Sequence, residues 1–466
     1  MDYEKEYEKT VRPFYGEYRC EDLDDLIMEN DILPHNYSVI ERVDMTHNDV
    51  YTIDPEGCED ADDAFSIFYE NNKLYLAIHV ADPTEYIILN SYLWKSIELK
   101  TVTQYPSNRP PIHMMPKKIM ALSSLMENKY GNIKKALTVL TEIDKETYKP
   151  INNIKLLFTK IKVLCSNSLS YSKAGSMYPD NQILDIGIKI SKSLQRCRSE
   201  QTIGVILNEI SHSYVKYQGK KPYLYSDDKN EIEMKQMIAE FAIFTNSFIG
   251  EYLKINFNGR GLYRICDANE WLKTIYNVSG QELLDEIIVN GIRADYMSNV
   301  SSHDLVGAPE YCHFTSPIRR LSDCVCHYLL KYIHLKEKNP LLKQPFKNAD
   351  LERYSRECVR LTKLMKNVQY KDNKFRLIQV MSYMLSNNEK IRLGYYVSSY
   401  TRLFLNIIIN SINEHNVYIS YTLRIPNLQK EIEIKQKYYV DINCVNCIQK
   451  YDQGSIPELD TIFIQT

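Results

Sequence analysis

Two short segments hold the residues whose types and spacing point to chemistry. Residues 54–63 read Asp-Pro-Glu-Gly-Cys-Glu-Asp-Ala-Asp-Asp, with six carboxylates in ten positions: Asp54, Glu56, Glu59, Asp60, Asp62 and Asp63. Like charges this close resist ionising beside one another. Such a run belongs on a solvated turn or around cations. Apolar, strand-like residues flank it, and Ala64-Phe65 follows directly, which favours cations. It is not an EF-hand, because the glycine needed at the sixth position is Glu59 counted from Asp54, or Phe65 counted from Asp60. Hard carboxylates suit Mg²⁺ or Mn²⁺ better than zinc. Mg²⁺ commonly combines few carboxylates with substrate phosphates, so the loop points to phosphoryl chemistry.

The second segment, residues 313–323, reads His-Phe-Thr-Ser-Pro-Ile-Arg-Arg-Leu-Ser-Asp. Pro317 predicts the first turn of a helix running to about Leu335, capped by Thr315 or Ser316, with Arg319 and Arg320 in that turn. Arginine opposes the dipole there unless amides and guanidinium together grip an anion. The alternative is a pair of surface arginines.

Secondary structure must position these two segments. Residues 65–69 and 74–80 alternate around Asn71-Asn72, which predicts a hairpin directly after the acidic loop. Four prolines between residues 100 and 120 predict an extended crossing loop. Residues 133–165 alternate like two or more strands, and 231–253 repeat with helical period, placing Met234, Met237, Ile238, Phe241 and Phe244 on one side. A further helix is expected over 351–376. Beyond residue 385 the pattern turns to short strands, at 395–397, 404–409, 417–421 and 438–440, which predicts a small β-barrel of the oligonucleotide-binding kind.

The chain has 466 residues, enough for two to four domains. The division expected is an N-terminal extension over 1–45, a catalytic domain over 46–380 and the barrel over 385–466, an α+β protein throughout. With 57 basic and 60 acidic residues the net charge is −3, which argues against a globally basic nucleic-acid coat but not against a local basic channel. No apolar run approaches a membrane span, and the acidic start does not read as a secretory signal. Eleven scattered cysteines fit a reducing, intracellular and most simply cytoplasmic setting. Cys444 and Cys447 have metal-clip spacing but lack a second pair, so they read as buried thiols, as do Cys324 and Cys326. The 37 tyrosines accompany abundant Ile, Asn and Lys, a codon-bias signature rather than a stacking surface.

Together the two segments resemble the ribonuclease II and ribonuclease R family. Thr52-Ile53-Asp54-Pro55-Glu56-Gly57-Cys58-Glu59-Asp60-Ala61-Asp62-Asp63-Ala64 is similar to its acidic signature, and His313-Phe314-Thr315-Ser316-Pro317-Ile318-Arg319-Arg320 to its arginine signature. Weaker echoes lie between them in order, at residues 78–82, 169–171, 237–240 with Asn246, and 262–264. The resemblance implies a mixed sheet wrapped by helices around a channel. It also implies hydrolysis of single-stranded RNA from the 3′ end to nucleoside 5′-monophosphates, with two Mg²⁺ or Mn²⁺ ions. It makes Asp54, Asp60, Asp62 and Asp63 the metal-site carboxylates, with Asp62 and Arg319 catalytic. Tyr171, Glu240, Arg319 and Tyr105 become RNA contacts. Ala239 stands where the family usually has a second Glu, and Leu321 and Tyr328 replace a usual Tyr and Arg. Replacing Arg320 by Lys is expected to be mild. Only about 45 residues precede the catalytic module, too few for the family's N-terminal cold-shock barrels, so a protein partner is expected to help capture RNA. A non-catalytic RNA binder or decay-complex scaffold on the same fold is the alternative.

Overall fold

A computed structural model describes residues 2–16, 34–201, 213–275, 292–402, 404–424 and 436–442. It also describes residues 283, 286, 287 and 434 and the strand backbones at 445–450 and 454–459. In chain order the first strands are β1 (Val43–Asp44), β2 (Thr52–Asp54), β3 (Asp63–Glu70), β4 (Lys73–Ala81), β5 (Ile133–Ile143), β6 (Pro150–Lys162) and β7 (Ser168–Ser170). Five of them form one mixed sheet ordered β1-β6-β5-β4-β3, in which only β1 and β6 run parallel. The β3–β4 hairpin turns on Asn71 and Asn72, both at positive φ, as a two-residue hairpin turn requires. Alternation along β4 gives the sheet two apolar faces. Leu74, Leu76 and Ile78 pack with Leu184 and Met237 from helices Gln182–Gln201 and Lys229–Asn256. Ala77 and Ala81 face Trp94 and Leu329, from helices Tyr92–Lys100 and Leu321–Lys336. The acidic loop sits where β2 ends and β3 begins.

The described residues of the expected extension, 2–16 and 34–45, pack on this body. β1 lies within it, and Arg42 inserts between the buried carboxylates of Asp82 and Glu85 at 2.6 and 2.7 Å. Farther upstream, helix Tyr3–Thr10 packs Tyr7 against Phe375 of the 39-residue helix Asn348–Ser386. That helix runs without interruption across residue 380.

The remaining strands are β8 (Tyr214–Gln218), β9 (Lys221–Tyr225), β10 (Arg260–Ile265), β11 (Asp295–Asn299), β12 (Ile391–Tyr400), β13 (Phe404–Ile412), β14 (His415–Arg424), β15 (Lys437–Ile442), β16 (Val445–Lys450) and β17 (Gly454–Leu459). The C-terminal strands do not close into the expected barrel among the described residues. They form an antiparallel four-stranded sheet ordered β14-β13-β12-β15, while β16 and β17, among the described residues, pair only with each other. The sheet buries Leu393, Ile407 and Ile409 on Leu377, Ile378 and Met381 of the long helix, so a helix covers its apolar face. Cys444 and the side chain of Cys447 lie outside the described residues, whereas Cys324 and Cys326 are free, buried thiols, as expected.

The helix expected from Pro317 begins later, at Leu321, with Arg320 in the N-cap position and no side-chain cap. Residues 316–319 form a turn closed from Arg319 N–H to the Ser316 carbonyl at 3.3 Å. Carboxylates claim the amides that a helix start would leave free. Ser316 N–H donates to Asp323 and Ile318 N–H to Asp62. Leu321 and Tyr328 are both core residues, Tyr328 donating to the Ile87 carbonyl.

Candidate active site

The acidic loop is shaped by its own sequence. Asp54 ends β2, which β7 holds in parallel register, Asp54 opposite Ser170. The Pro55–Cys58 turn closes at 3.1 Å, with Gly57 at φ +79° in its third position, where glycine is favoured. Ala61 is fully buried and anchors the loop through its carbonyl, which accepts from Leu125 N–H. Asp62 is likewise tied down, its carbonyl accepting from Ala81 N–H. Asp63 opens β3 opposite Val80.

The turn carrying the arginines docks directly on this loop. Asp62 is buried, with Oδ1 accepting from Ile318 N–H at 2.7 Å and Oδ2 from Arg319 Nε at 3.1 Å. Arg319 also donates through Nη2 to Ser316 Oγ at 2.9 Å, while its side chain stays 44% exposed. That exposure leaves the guanidinium reachable by a ligand. Arg320 differs in kind. Its Nε and Nη2 fork onto the two oxygens of buried Asp323 at 2.9 and 2.8 Å.

The other aspartates are less satisfied. Asp54 Oδ2 and Asp60 Oδ2 are buried and accept no hydrogen bond, with His113 Nδ1 3.6 Å from Asp60 Oδ2. Burial, then the charges of Asp63 and Asp60, pushes the Asp54 carboxyl up to about 7, against the pull of Arg319. Burial raises Asp63 to about 6, opposed by Arg319 and Arg320. It raises Asp62 well above the carboxylate range despite Arg319 and the Ile318 amide. Among the described residues no three His, Cys, Asp or Glu side chains converge on one point at ligand spacing. The carboxylates instead line one cavity together. Two orphaned buried oxygens among mutually repelling acids are nevertheless what hard cations satisfy, so the residues fit divalent ions.

These groups border a cavity of about 1510 Å³. Its walls include all four aspartates, Arg319, and both expected aromatics, Tyr105 and Tyr171. Tyr171 is the first residue of helix Tyr171–Met177, whose N-cap Ser170 accepts from Lys173 N–H. Glu240 is not brought to the cavity. It is buried in an ion pair with Arg198, and Ala239 lines the wall beside it. Sequence reasoning passed over Lys235 and His113 in the same walls, and Arg12 from the N-terminal segment. For Lys235 a signal existed, since Lys235, Ala239, Ala242 and Asn246 repeat at helical spacing. Asn246 braces the arginine segment, Oδ1 accepting from Phe314 N–H at 2.8 Å. For Arg12 there was none.

Residues 42–336 match the family model described as the RNB domain, and the chain belongs to that family. Among curated relatives it is 26% identical over 346 residues to ribonuclease R of Buchnera aphidicola subsp. Schizaphis graminum, covering 64% of this chain and 46% of that protein. It is 25% identical over 333 residues to the human exosome complex exonuclease RRP44, covering 62% and 34%. The chain thus spans half or less of these relatives. Ribonuclease R of Mycoplasma genitalium, solved with ribose-methylated single-stranded RNA, superimposes with a TM-score of 0.71 at 17% identity, over 94% of this chain and 74% of that one. Yeast Ssd1, a pseudonuclease, gives 0.62 at 17% identity, over 81% and 50%. At these identities the likeness is one of fold.

Proposed function

We propose that the protein is an exoribonuclease that hydrolyses single-stranded RNA from the 3′ end to nucleoside 5′-monophosphates, using two divalent ions, Mg²⁺ or Mn²⁺. The observation that carries this reading is the docking of the Arg319 turn on Asp62 beside the orphaned oxygens of Asp54 and Asp60, all in one cavity. Asp54, Asp60 and Asp63 would hold the ions. When bound, such ions lower the pKa of water and stabilise a leaving oxyanion.

The chain's own residues supply the rest. Asp62 has both oxygens engaged by the arginine turn and acts as the hinge that fixes Arg319 against the acidic loop. The exposed Arg319 guanidinium neutralises charge building on phosphoryl oxygens. Tyr171 and Tyr105 offer ring faces to bases, contacts that tolerate any sequence. Glu240 would act on RNA only indirectly, through Arg198. The C-terminal sheet is the candidate for the family's terminal RNA-binding module, and a protein partner for RNA capture remains part of the proposal.

The test is incubation of the full chain with single-stranded RNA, double-stranded RNA and DNA in Mg²⁺, Ca²⁺ or EDTA, with chromatography of the products. Nucleoside 5′-monophosphates from single-stranded RNA in Mg²⁺ alone are expected. Full activity in EDTA refutes the metal mechanism. The fold shared with the Ssd1 pseudonuclease keeps a second reading, RNA binding without cleavage. It predicts binding with no product in any metal. The four aspartates weigh against it, since a pure binder gains nothing from carboxylates that repel phosphate.

A further inference from the structure

The hairpin of β8 and β9 lies outside the cavity, and nothing in the catalytic reading uses it. Its register pairs Tyr214 with Tyr225, Lys216 with Tyr223 and Gln218 with Lys221. Cross-strand partners share a face, so one face carries three tyrosines and two lysines. The other face carries Val215 and Leu224, which pack on the core of the C-terminal sheet, and Tyr217, whose hydroxyl donates to Gln379 of the long helix. The hairpin is therefore mounted on the body by its apolar face, with the aromatic and basic face turned outward.

That outward face is unusual in its chemistry. Tyr214 and Tyr223 are 36% and 42% exposed, enough for a base to reach a ring. Lys216 Nζ sits 3.4 Å from the Tyr225 ring centroid and 5.6 Å from that of Tyr214. Lys216, Lys220 and Lys221 have no carboxylate partner among the described residues. The nearby acids are already engaged. Asp227 pairs with Lys235 at 2.6 Å, and Glu231 accepts from the Tyr225 hydroxyl at 2.6 Å. The face is also continuous with the cavity. Lys235, a cavity residue, places Nζ 5.5 Å from the Tyr171 ring centroid and 5.6 Å from that of Tyr214.

We propose that the outer face of the β8–β9 hairpin is a docking platform for single-stranded RNA. It holds the part of the strand upstream of the nucleotides in the cavity, by stacking on Tyr214 and Tyr223 and by phosphate contacts to Lys216, Lys220 and Lys221. Lysines without a carboxylate partner beside part-exposed rings match the alternating phosphates and bases of a single strand, and stacking on aromatic rings is indifferent to sequence. The choice of RNA as ligand rests on the proposed exoribonuclease reading, whereas the existence of the face does not.

The experiment uses the full chain in EDTA, so that binding is read without turnover. Affinity is measured for a short oligoribonucleotide that only fills the cavity and for a strand long enough to reach the hairpin. The variant combines Lys220→Glu, Lys221→Glu and Tyr223→Ala, all at exposed positions, with an unchanged thermal midpoint as the control for folding. Expected is a loss of about tenfold or more for the long strand, and a salt slope flatter by about 1.4 for the two lysines. The short strand should bind as before. Equal affinity of variant and wild type for the long strand overturns the platform. Wild-type protein that binds long strands through the hairpin yet never shortens them in Mg²⁺ overturns the hydrolysis and leaves the platform standing.

Discussion

Asp62 and Arg319 stand 257 positions apart and meet through a 3.1 Å hydrogen bond, with the amide of Ile318 taking the other carboxylate oxygen. The two sequence signatures are thus physically one unit, and neither has its working geometry without the other.

Asp62→Asn therefore tests the unit. An amide offers one acceptor where two donors now point, so one of Ile318 N–H and Arg319 Nε is left facing an NH₂ group. The expected result is a loss of about 10²–10³-fold or more in turnover, with single-stranded RNA affinity retained. Turnover within about tenfold of wild type removes Asp62 from the mechanism.

The two arginines should fail in different ways. Arg319→Lys replaces a fork by a point charge and should cost turnover while leaving the thermal midpoint nearly unchanged. Arg320→Lys, expected from sequence to be mild, breaks a bidentate clamp on the buried Asp323 carboxylate. It should lower stability by about 1–3 kcal/mol. Parallel melting curves and single-turnover rates separate the two effects.

In metal-free protein the carboxyl groups of Asp54 and Asp63 titrate at about 7 and 6, above the ordinary carboxylate range. The folded state then holds more protons on these two groups than the unfolded state, so their own contribution to stability falls as pH rises from about 4 to about 7, against the opposite contribution of the buried His79, His303 and His313. Divalent ions replace those protons. The difference in stability between wild type and an Asp54→Asn, Asp63→Asn double variant, measured by melting in EDTA across this range, isolates the decline, and millimolar Mg²⁺ should flatten it. A difference that does not change with pH would show that burial does not raise these two carboxyls.

Asp372 accepts from the hydroxyls of Tyr7 at 2.7 Å and Tyr15 at 2.6 Å, and from Ser107 N–H at 2.9 Å. It joins the N-terminal segment, the loop bearing Tyr105 and the long helix. Asp372→Ala strands several buried donors at once and should cost about 2–5 kcal/mol in urea unfolding. Tyr7→Phe, which removes one donor, should cost about 1 kcal/mol.

What sequence reveals here follows the range of the forces involved. The acidic loop and its turn are local, so Pro55, Gly57 and the four aspartates announce themselves, as do Asn71-Asn72 and the long periodic helices. The start of the helix at Leu321 is not local. The preference of Pro317 for a first turn loses to carboxylates that claim the Ser316 and Ile318 amides, one of them from a loop far upstream. Glu240 fits a family position, but its partner Arg198 lies on another helix, 42 residues away. A strand pattern alone does not say whether edges close, so an open sheet lying on a helix and a closed barrel look the same. The role of Tyr7 and Tyr15 depends on an aspartate more than 350 positions later.

That last separation sets an order of assembly. Synthesis is vectorial, and contacts between distant positions form only once both are available. Tyr7 and Tyr15 are made more than 350 residues before Asp372 and wait for it. Until then the loop bearing Tyr105 and the segment bearing Arg12 lack the aspartate that ties them to the long helix. The β3–β4 hairpin can form early, and the Asp62–Arg319 contact can follow midway through translation. A nascent chain can therefore carry the acidic loop and its arginine for some time before Asp372 fastens the segments that bring Arg12 and Tyr105 to the cavity.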